Sequence, residues 1–377
     1  MKRGHEKKRF HGLARLWSIA LLWLAVSAGP AHAELTRVPY IGVRPSGMGN
    51  AFLALADDSN MLWYNPAMLA QVKGIHFNLF DFTLGTDGLD SLQRLKNAVF
   101  NGAYNNLIRT EQEFLKFGMR PMLVTPYFAV GLYENVQSFT DLDLSTLNGH
   151  ADAYIFNDVG LITGFGIPVS DYLSLGASFR LIERSALDAN LTFQDFINIG
   201  QTNPTGFQSA IYQHLQQMMG TGWGIGANFG GMFRVPLPAG SPRLQLAATV
   251  EDLGETTFRQ LGSLPRPPPI RPSYNFGSSL QYKAGKDAVL NLAFDLRNNF
   301  ESLGWYKKIH FGAEYRHKYF GLRVGAYEAY PTFGFSIETP PHTRIHFSTY
   351  EVELGNHAWE RGQRWYLLQL EIGFNPI

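Results

Sequence analysis

Between Tyr172 and Arg184 the residues alternate in kind. Leu173, Leu175, Ala177, Phe179 and Leu181 fall on one face, and Ser174, Gly176, Ser178 and Arg180 on the other. A period of two marks an extended strand with two unlike faces. Ala288–Arg297 repeats it, with Leu290, Leu292, Phe294 and Leu296 against Asn291, Asp295 and Arg297. So does Ile309–Arg316, where Ile309, Phe311, Ala313 and Tyr315 oppose His310, Gly312, Glu314 and Arg316. In Trp223–Phe229 the inner face is Gly224, Gly226 and Asn228, small enough to leave room for a further segment or a ligand. These polar faces are too charged for the dry space between two packed sheets. They suit a wet or plugged lumen.

Strands of this pattern are predicted at 75–84, 116–124, 127–136, 151–167, 172–186, 222–235, 243–251, 273–283, 288–297, 305–317, 319–328, 332–338, 343–353 and 364–374, fourteen in all. An even number is what a single-chain bacterial membrane barrel requires. The links supply an independent check. With the N-terminus in the periplasm, odd links should be extracellular and long, even links periplasmic and short. The even links Thr125-Pro126, Pro168–Asp171, Pro236–Pro242, Ala284–Asp287, a turn near Lys318 and Thr339–His342 are all short. The long ones, 85–115, 137–150, 187–221, 252–272 and 355–363, are all odd. A miscounted strand would have put long loops on both sides.

Composition agrees. The chain has 14% aromatic residues and 38 glycines but only 17% charged residues, against about 25% in an ordinary soluble domain. Residues 1–33 read as a secretory signal to be cleaved, with a basic start, a short apolar core at Leu16–Val26 and Ala31-His32-Ala33 at the cleavage site. Its removal takes six of the 32 Lys and Arg and one of the 31 Asp and Glu, leaving 26 basic against 30 acidic residues. A mildly acidic exported chain gives no reason to expect nucleic acid as a partner. No later window reaches the roughly 20 apolar residues of a spanning helix. An exported, weakly charged, aromatic-rich chain without such a helix has one obvious membrane solution, a closed β-barrel. A large soluble β-sandwich or propeller is the alternative that composition leaves open. There are no cysteines, so disulfides and thiolate metal sites are excluded.

Between the signal and the first strand lies a segment of another character, residues 42–73. Turn elements at Arg44-Pro45-Ser46-Gly47, Met48-Gly49-Asn50 and Asn65-Pro66-Ala67 punctuate it, and Asp57-Asp58-Ser59-Asn60 joins two short apolar pieces. Neither piece alternates, and neither is long enough to hold a core of its own. Gly47, Met48, Gly49, Ala56, Asp57, Asp58, Asn65, Pro66 and Ala67 together resemble the N-terminal region of FadL-type long-chain fatty-acid transporters and their outer-membrane relatives. That resemblance implies a fourteen-strand transmembrane barrel in the outer membrane of a Gram-negative cell, with residues 34–73 as a plug inside the barrel of residues 74–377. It also implies passive uptake of hydrophobic small molecules, long-chain fatty acids among them. Gating would then fall to Gly47, Gly49, Asp57, Asp58, Asn65, Pro66 and Ala67. Shorter relatives with the same signature serve type IX secretion or conjugation, so a barrel acting on a secreted-protein partner is the rival reading. Outer-membrane lipids and the barrel-insertion machinery are the expected partners in either case. The alternating last strand, ending at Phe374, resembles the signal that machinery reads, displaced by Asn375-Pro376-Ile377.

No catalytic constellation stands out: no Gly-x-Ser-x-Gly, no His-Glu-x-x-His and no phosphate loop. His342 and His346 would lie about 13 Å apart along a strand, too far to share an ion, so no metal and no cofactor are expected. Asp57-Asp58 reads as capping within the plug, with a cation site as the alternative. The charges predicted to face the lumen are Arg180, Glu251, Asp295, Arg297, Glu314, Arg316, Arg323, Glu338, Arg344 and Glu371. Being of mixed sign, they are expected to pair with one another and with the plug. Asn157, on an otherwise lipid-facing side beside Asp158 and Gly160, suggests a kink or bulge, which the FadL-type resemblance implies would serve sideways release of apolar cargo; a position above the bilayer explains it equally. Leu89–Leu115 and Phe207–Met219 are predicted to form helices in the extracellular loops. Pro265–Pro272 should be extended and stiff.

Overall fold

A computed structural model describes residues 40–88, 113–143, 150–202, 213–214, 217–301, 303–339, 343–355 and 357–374. The strands are β1 (His76–Thr86), β2 (Glu113–Met119), β3 (Met122–Thr125), β4 (Phe128–Asp143), β5 (His150–Pro168), β6 (Leu173–Thr192), β7 (Gly220–Arg234), β8 (Arg243–Glu251), β9 (Phe258–Gln260), β10 (Ser273–Lys283), β11 (Ala288–Leu296), β12 (Ile309–His317), β13 (Phe320–Tyr327), β14 (Tyr330–Thr339), β15 (Thr343–Glu353) and β16 (Gly362–Phe374). Pairing is antiparallel throughout: β2 and β3 both lie between β1 and β4, β8 pairs directly with β10, the other strands of the ring pair in sequence order, and β16 returns to β1 through Phe77↔Phe374 to Thr86↔Tyr366. The ring therefore closes. β2 and β3 form one stave and β9 is a short flap on β7, which makes fourteen staves.

Alternation sorts the side chains as a barrel requires. Leu132, Leu161, Ile225, Leu292, Leu322 and Leu368 stand exposed on the outer wall, while the residues between them turn inward. An apolar exterior of this extent belongs in lipid, and a closed ring leaves no unpaired edge there. The links between β3 and β4, β5 and β6, β7 and β8, β10 and β11, β12 and β13, and β14 and β15 are short. They mark the periplasmic end.

Several segments differ from expectation. β6 runs on to Thr192 and is followed by a helix at Phe193–Thr202. There the Asp195 carboxylate accepts from the Thr192 amide at 2.8 Å and the Asp195 amide reaches back to the Thr192 hydroxyl, a reciprocal cap that starts the helix. In the predicted helix at 207–219 the described residues 213–214 and 217–218 are helical. Of 89–115, only 113–115 are described, and they are strand. Trp305–Lys308 is a helical turn instead of the start of β12. The proline loop is extended, but it folds inward: Ile270 is buried and bridges Thr256. The signal segment, residues 1–33, and Asn375-Pro376-Ile377 lie outside the described residues.

The expected kink at Asn157 is absent. β5 pairs without a break to β4 (Val136↔Asn157) and β6 (Asn157↔Ser185). Asn157 does face outward, but Ser185 and Thr221 sit beside it at the same height, and Glu134 and Glu183 flank Val159 just below. The polar residue marks the upper rim of the apolar band. Asp158 and Gly160 face the lumen, where Asp158 accepts from both Nε and Nη2 of Arg184 at 2.7 and 2.6 Å. The real irregularity is in β1, which carries one extra residue at Leu79 relative to β16. Its register to β2 and β3 shifts at the same height, opposite Arg120-Pro121. A bulge leaves a residue unpaired, and Pro121 has no N–H to give, so the seam between β1 and its neighbour loses ladder hydrogen bonds at this height.

Candidate functional site: the plugged lumen

Residues from Ile41 to Ala56 and from Ser59 to Leu69 are buried inside the ring. The segment folds as two four-residue helical turns, Val43–Ser46 and Met61–Tyr64, and a 3₁₀ turn at Pro66–Gln71. So short a segment satisfies few of its own backbone groups, and a buried orphan is costly. The wall supplies the partners. Ser178 donates to Leu62 O (2.7 Å), Ser279 to Ala54 O (2.8 Å), Lys116 to Ile41 O (2.8 Å) and Thr332 to Gly47 O (3.1 Å). The Asp295 carboxylate accepts from the amides of Phe52 and Leu53.

Two glycine-lined patches of wall let the plug backbone come close. On one side Asn65-Pro66-Ala67 lies against Gly166, Gly176 and Gly230. A Cβ added at Gly176 would stand 2.4 Å from Ala67 N and Pro66 C, and one at Gly230 2.1 Å from Asn65 Oδ1. Asn65 itself is fully buried. Its Oδ1 caps Ala67 N (3.1 Å) and its Nδ2 donates to Leu53 O (3.1 Å), so the motif ties both halves of the plug together. On the opposite side Gly47-Met48-Gly49 lies against Gly312, Gly325 and Gly334. Gly49 has φ +62°, and a Cβ there would stand 2.2 Å from Ala326 O. Both the conformation and the contact require glycine.

Charge locks the fit. Arg44 of the plug donates twice to Glu314 of β12, Nε to Oε1 at 2.8 Å and Nη2 to Oε2 at 2.7 Å. Its third nitrogen, Nη1, reaches Asp57 and Asp58. Arg323 and Asn291 also donate to Glu314, and Arg316 pairs with Asp57 at 2.7 Å. Asp58 caps the next turn through the Asn60 amide. The acidic pair is thus both a cap and one half of a latch to the wall. Burial by itself would raise the Asp57 carboxyl, but Arg44 and Arg316 outweigh it and hold it down at about 2. Elsewhere Arg180 pairs with Asp252, Arg297 with Glu251, and Arg344 with Glu338 and Glu371. Every lumen charge singled out from the sequence faces inward.

The lumen above the plug differs in character. Phe114 and Trp365 stack with ring centroids 3.6 Å apart, and Phe139, Tyr350 and Tyr327 extend the cluster. Gly85 on the intervening strand leaves them room to meet. Sequence reasoning had not singled out these residues, although each is the inward member of an alternating pair. Among the described residues no group of three or more His, Asp or Glu side chains is arranged to hold a metal.

No protein-family profile and no curated protein matches the chain. Among solved structures it is similar to the CymD monoaromatic hydrocarbon channel, at 14% identity over 90% of this chain and 98% of that one, with a TM-score of 0.49. The Pseudomonas putida toluene transporter TodX is similar at 12% identity over 89% and 98%, TM-score 0.49. A Pseudomonas aeruginosa FadL homologue is similar at 11% over 91% and 100%, TM-score 0.37. At these values the likeness assigns no substrate, and the description of the barrel rests on its own strands, faces and lumen. On those grounds the protein is a closed fourteen-strand barrel of the outer membrane, stoppered from within by its own N-terminal segment.

Proposed function

We infer that this barrel admits small hydrophobic molecules passively across the outer membrane, with the plug as its valve. The observation that carries the reading is the division of the lumen: an aromatic throat above, and below it a plug sealed by backbone contact and ion pairs. A water-filled porin has no use for either. An apolar solute can replace ring–ring contacts among Phe114, Trp365 and Tyr350 at little cost, whereas a hydrated ion would lose its water there. No energy source or cofactor enters. Long-chain fatty acids remain one candidate cargo, by the resemblance of residues 42–73.

Release is proposed to run sideways through the β1–β2 seam. Leu79 and Phe80 both face lipid there, and Arg120 fills the lumen side, salt-bridged to Asp81 at 3.0 Å and lying over Tyr40 and Trp63 of the plug. Arg120 Nη1 also donates to Asn60 of the plug at 3.3 Å, so movement of the plug would take three of its four supports.

The experiment is uptake of radiolabelled toluene and oleate by cells with and without the protein, and with Asn65→Ala. Uptake above background that changes in the variant supports transport; equal uptake in all three, with a stoichiometric protein co-purifying, would favour the secretion-partner reading. Phe82 and Met119 are direct cross-strand partners, with Cα atoms about 5 Å apart. A Phe82→Cys/Met119→Cys disulfide should therefore block uptake reversibly if the seam must part.

A further inference from the structure

We propose that the periplasmic vestibule beneath the plug is a second ligand site, shaped for a compact amphipathic anion: an apolar body with a carboxylate, sulfonate or phosphate head. A cavity of about 360 Å³ lies there between the plug and the lower ends of β1, β3, β8, β10 and β16. That is the lower end of the range for small-molecule sites, about 300–1,000 Å³, too small for a long acyl chain with its head.

Its walls are of two kinds. Leu55, Met61, Met68 and Val72 of the plug form an apolar floor. Lys73 and Arg243 stand at the rim. Arg234 is added from β7, opposite Gln245 and therefore diagonal to Arg243 on the same inner face.

Arg344, which also lines the cavity, is paired with Glu371, but three other cations stand apart from the acidic residues. Asp57, Asp58 and Glu371, which also line the cavity, are already engaged by Arg44, Arg316 and Arg344. Lys73, Arg234 and Arg243 have no ion-pair partner among the described residues. Arg234 makes one long contact to Gln71 (3.4 Å), and its buried Nε has no partner. Two like-charged side chains held side by side without a counter-ion repel each other. Placed next to an apolar floor, they ask for an anion whose body covers that floor. The inference stands apart from the transport reading: it concerns what binds from the periplasm, whatever crosses above.

The test uses the full-length protein in nanodiscs of zwitterionic lipid and two probes of equal shape, 4-tert-butylbenzoate and the neutral 4-tert-butylbenzamide, titrated by calorimetry. The acid should bind roughly tenfold to a hundredfold more tightly than the amide, the worth of one or two charge-assisted hydrogen bonds. Lys73→Gln/Arg243→Gln, which leaves only Arg234 of the three cations, should shrink that difference and leave the amide unchanged. Both residues are at the rim, and heat-modifiable gel mobility verifies that the barrel is intact. Anionic phosphatidylglycerol in the disc should compete with the acid if a lipid phosphate is the natural head; absence of competition leaves a soluble anion as the ligand, and both outcomes fit the site. Equal affinity for acid and amide, or undiminished acid binding in the double variant, overturns the proposal.

Discussion

Arg44 is the side chain whose loss should most directly unlatch the plug. Its guanidinium and the Glu314 carboxylate are 5% and 0% exposed, so neither is rescued by water while the plug stays seated. Removing one member of a buried pair costs about 3–5 kcal/mol, because the other is left uncompensated. Here Glu314 keeps Arg323 and Asn291, which places Arg44→Met near the lower figure, about 3 kcal/mol. Glu314 recovers its hydration only when the plug leaves, so the cost falls on the closed state. At about 1.4 kcal/mol per tenfold, the ratio of unseated to seated plug should rise by roughly two orders of magnitude. Recordings from purified protein in planar bilayers should show rare openings for the parent chain and frequent ones for Arg44→Met. Arg44→Lys keeps a charge but loses the two-pronged geometry, and should fall between. Arg44→Met combined with Glu314→Leu removes both charges and should open less often than the single variant. An Arg44→Met barrel as silent as its parent would refute the latch.

Two further outcomes follow from the same geometry. Gly230→Ala forces a methyl onto Asn65 and should unseat the plug, whereas Gly231→Ala meets nothing nearer than 3.5 Å and should leave conductance and thermal stability within about 0.5 kcal/mol of the parent; equal behaviour of the two would contradict the backbone-contact account. Asp57 is held at about 2 against an ordinary 3.8, so its contribution is complete above the ordinary value and fades only as pH falls through about 2. The difference in conductance between the parent and Asp57→Asn should therefore stay constant from pH 7 to pH 4, and a difference that vanishes near pH 4 or above would show that Asp57 is not ionised as described.

Much of this architecture was legible in the sequence because a barrel strand is written in alternation. β8, β10 and β15 occupy the predicted 243–251, 273–283 and 343–353. Where reading failed, a rule of local chemistry had been passed over. Leu79-Phe80 puts two apolar residues side by side and breaks the alternation of β1, and that break is the bulge. Thr192-Phe193-Gln194-Asp195 is a capping box, and it starts a helix at Phe193–Thr202 that apolar spacing did not mark. Asn157 misled because polarity on the outer face marks the edge of the bilayer as well as a kink, and only register distinguishes them. The aromatic throat could be inferred no more than residue by residue: Phe114, Tyr350 and Trp365 meet only when strands distant in sequence are drawn together by closure of the ring. The latch was half visible. Asp57-Asp58 and Glu314 could be named as a plug pair and a lumen charge, but their shared partner, Arg44, looked like part of a turn.

The most direct test joins the plug to the wall. Ser46 and Ser348 face each other with their hydroxyls 2.7 Å apart, and the chain has no cysteine of its own. Ser46→Cys/Ser348→Cys should form a disulfide in intact outer membranes, abolish uptake of apolar solutes while oxidised, and recover it on reduction. Failure of the two thiols to join, or undiminished uptake through the cross-linked barrel, would contradict a lumen closed by this segment and opened by its movement.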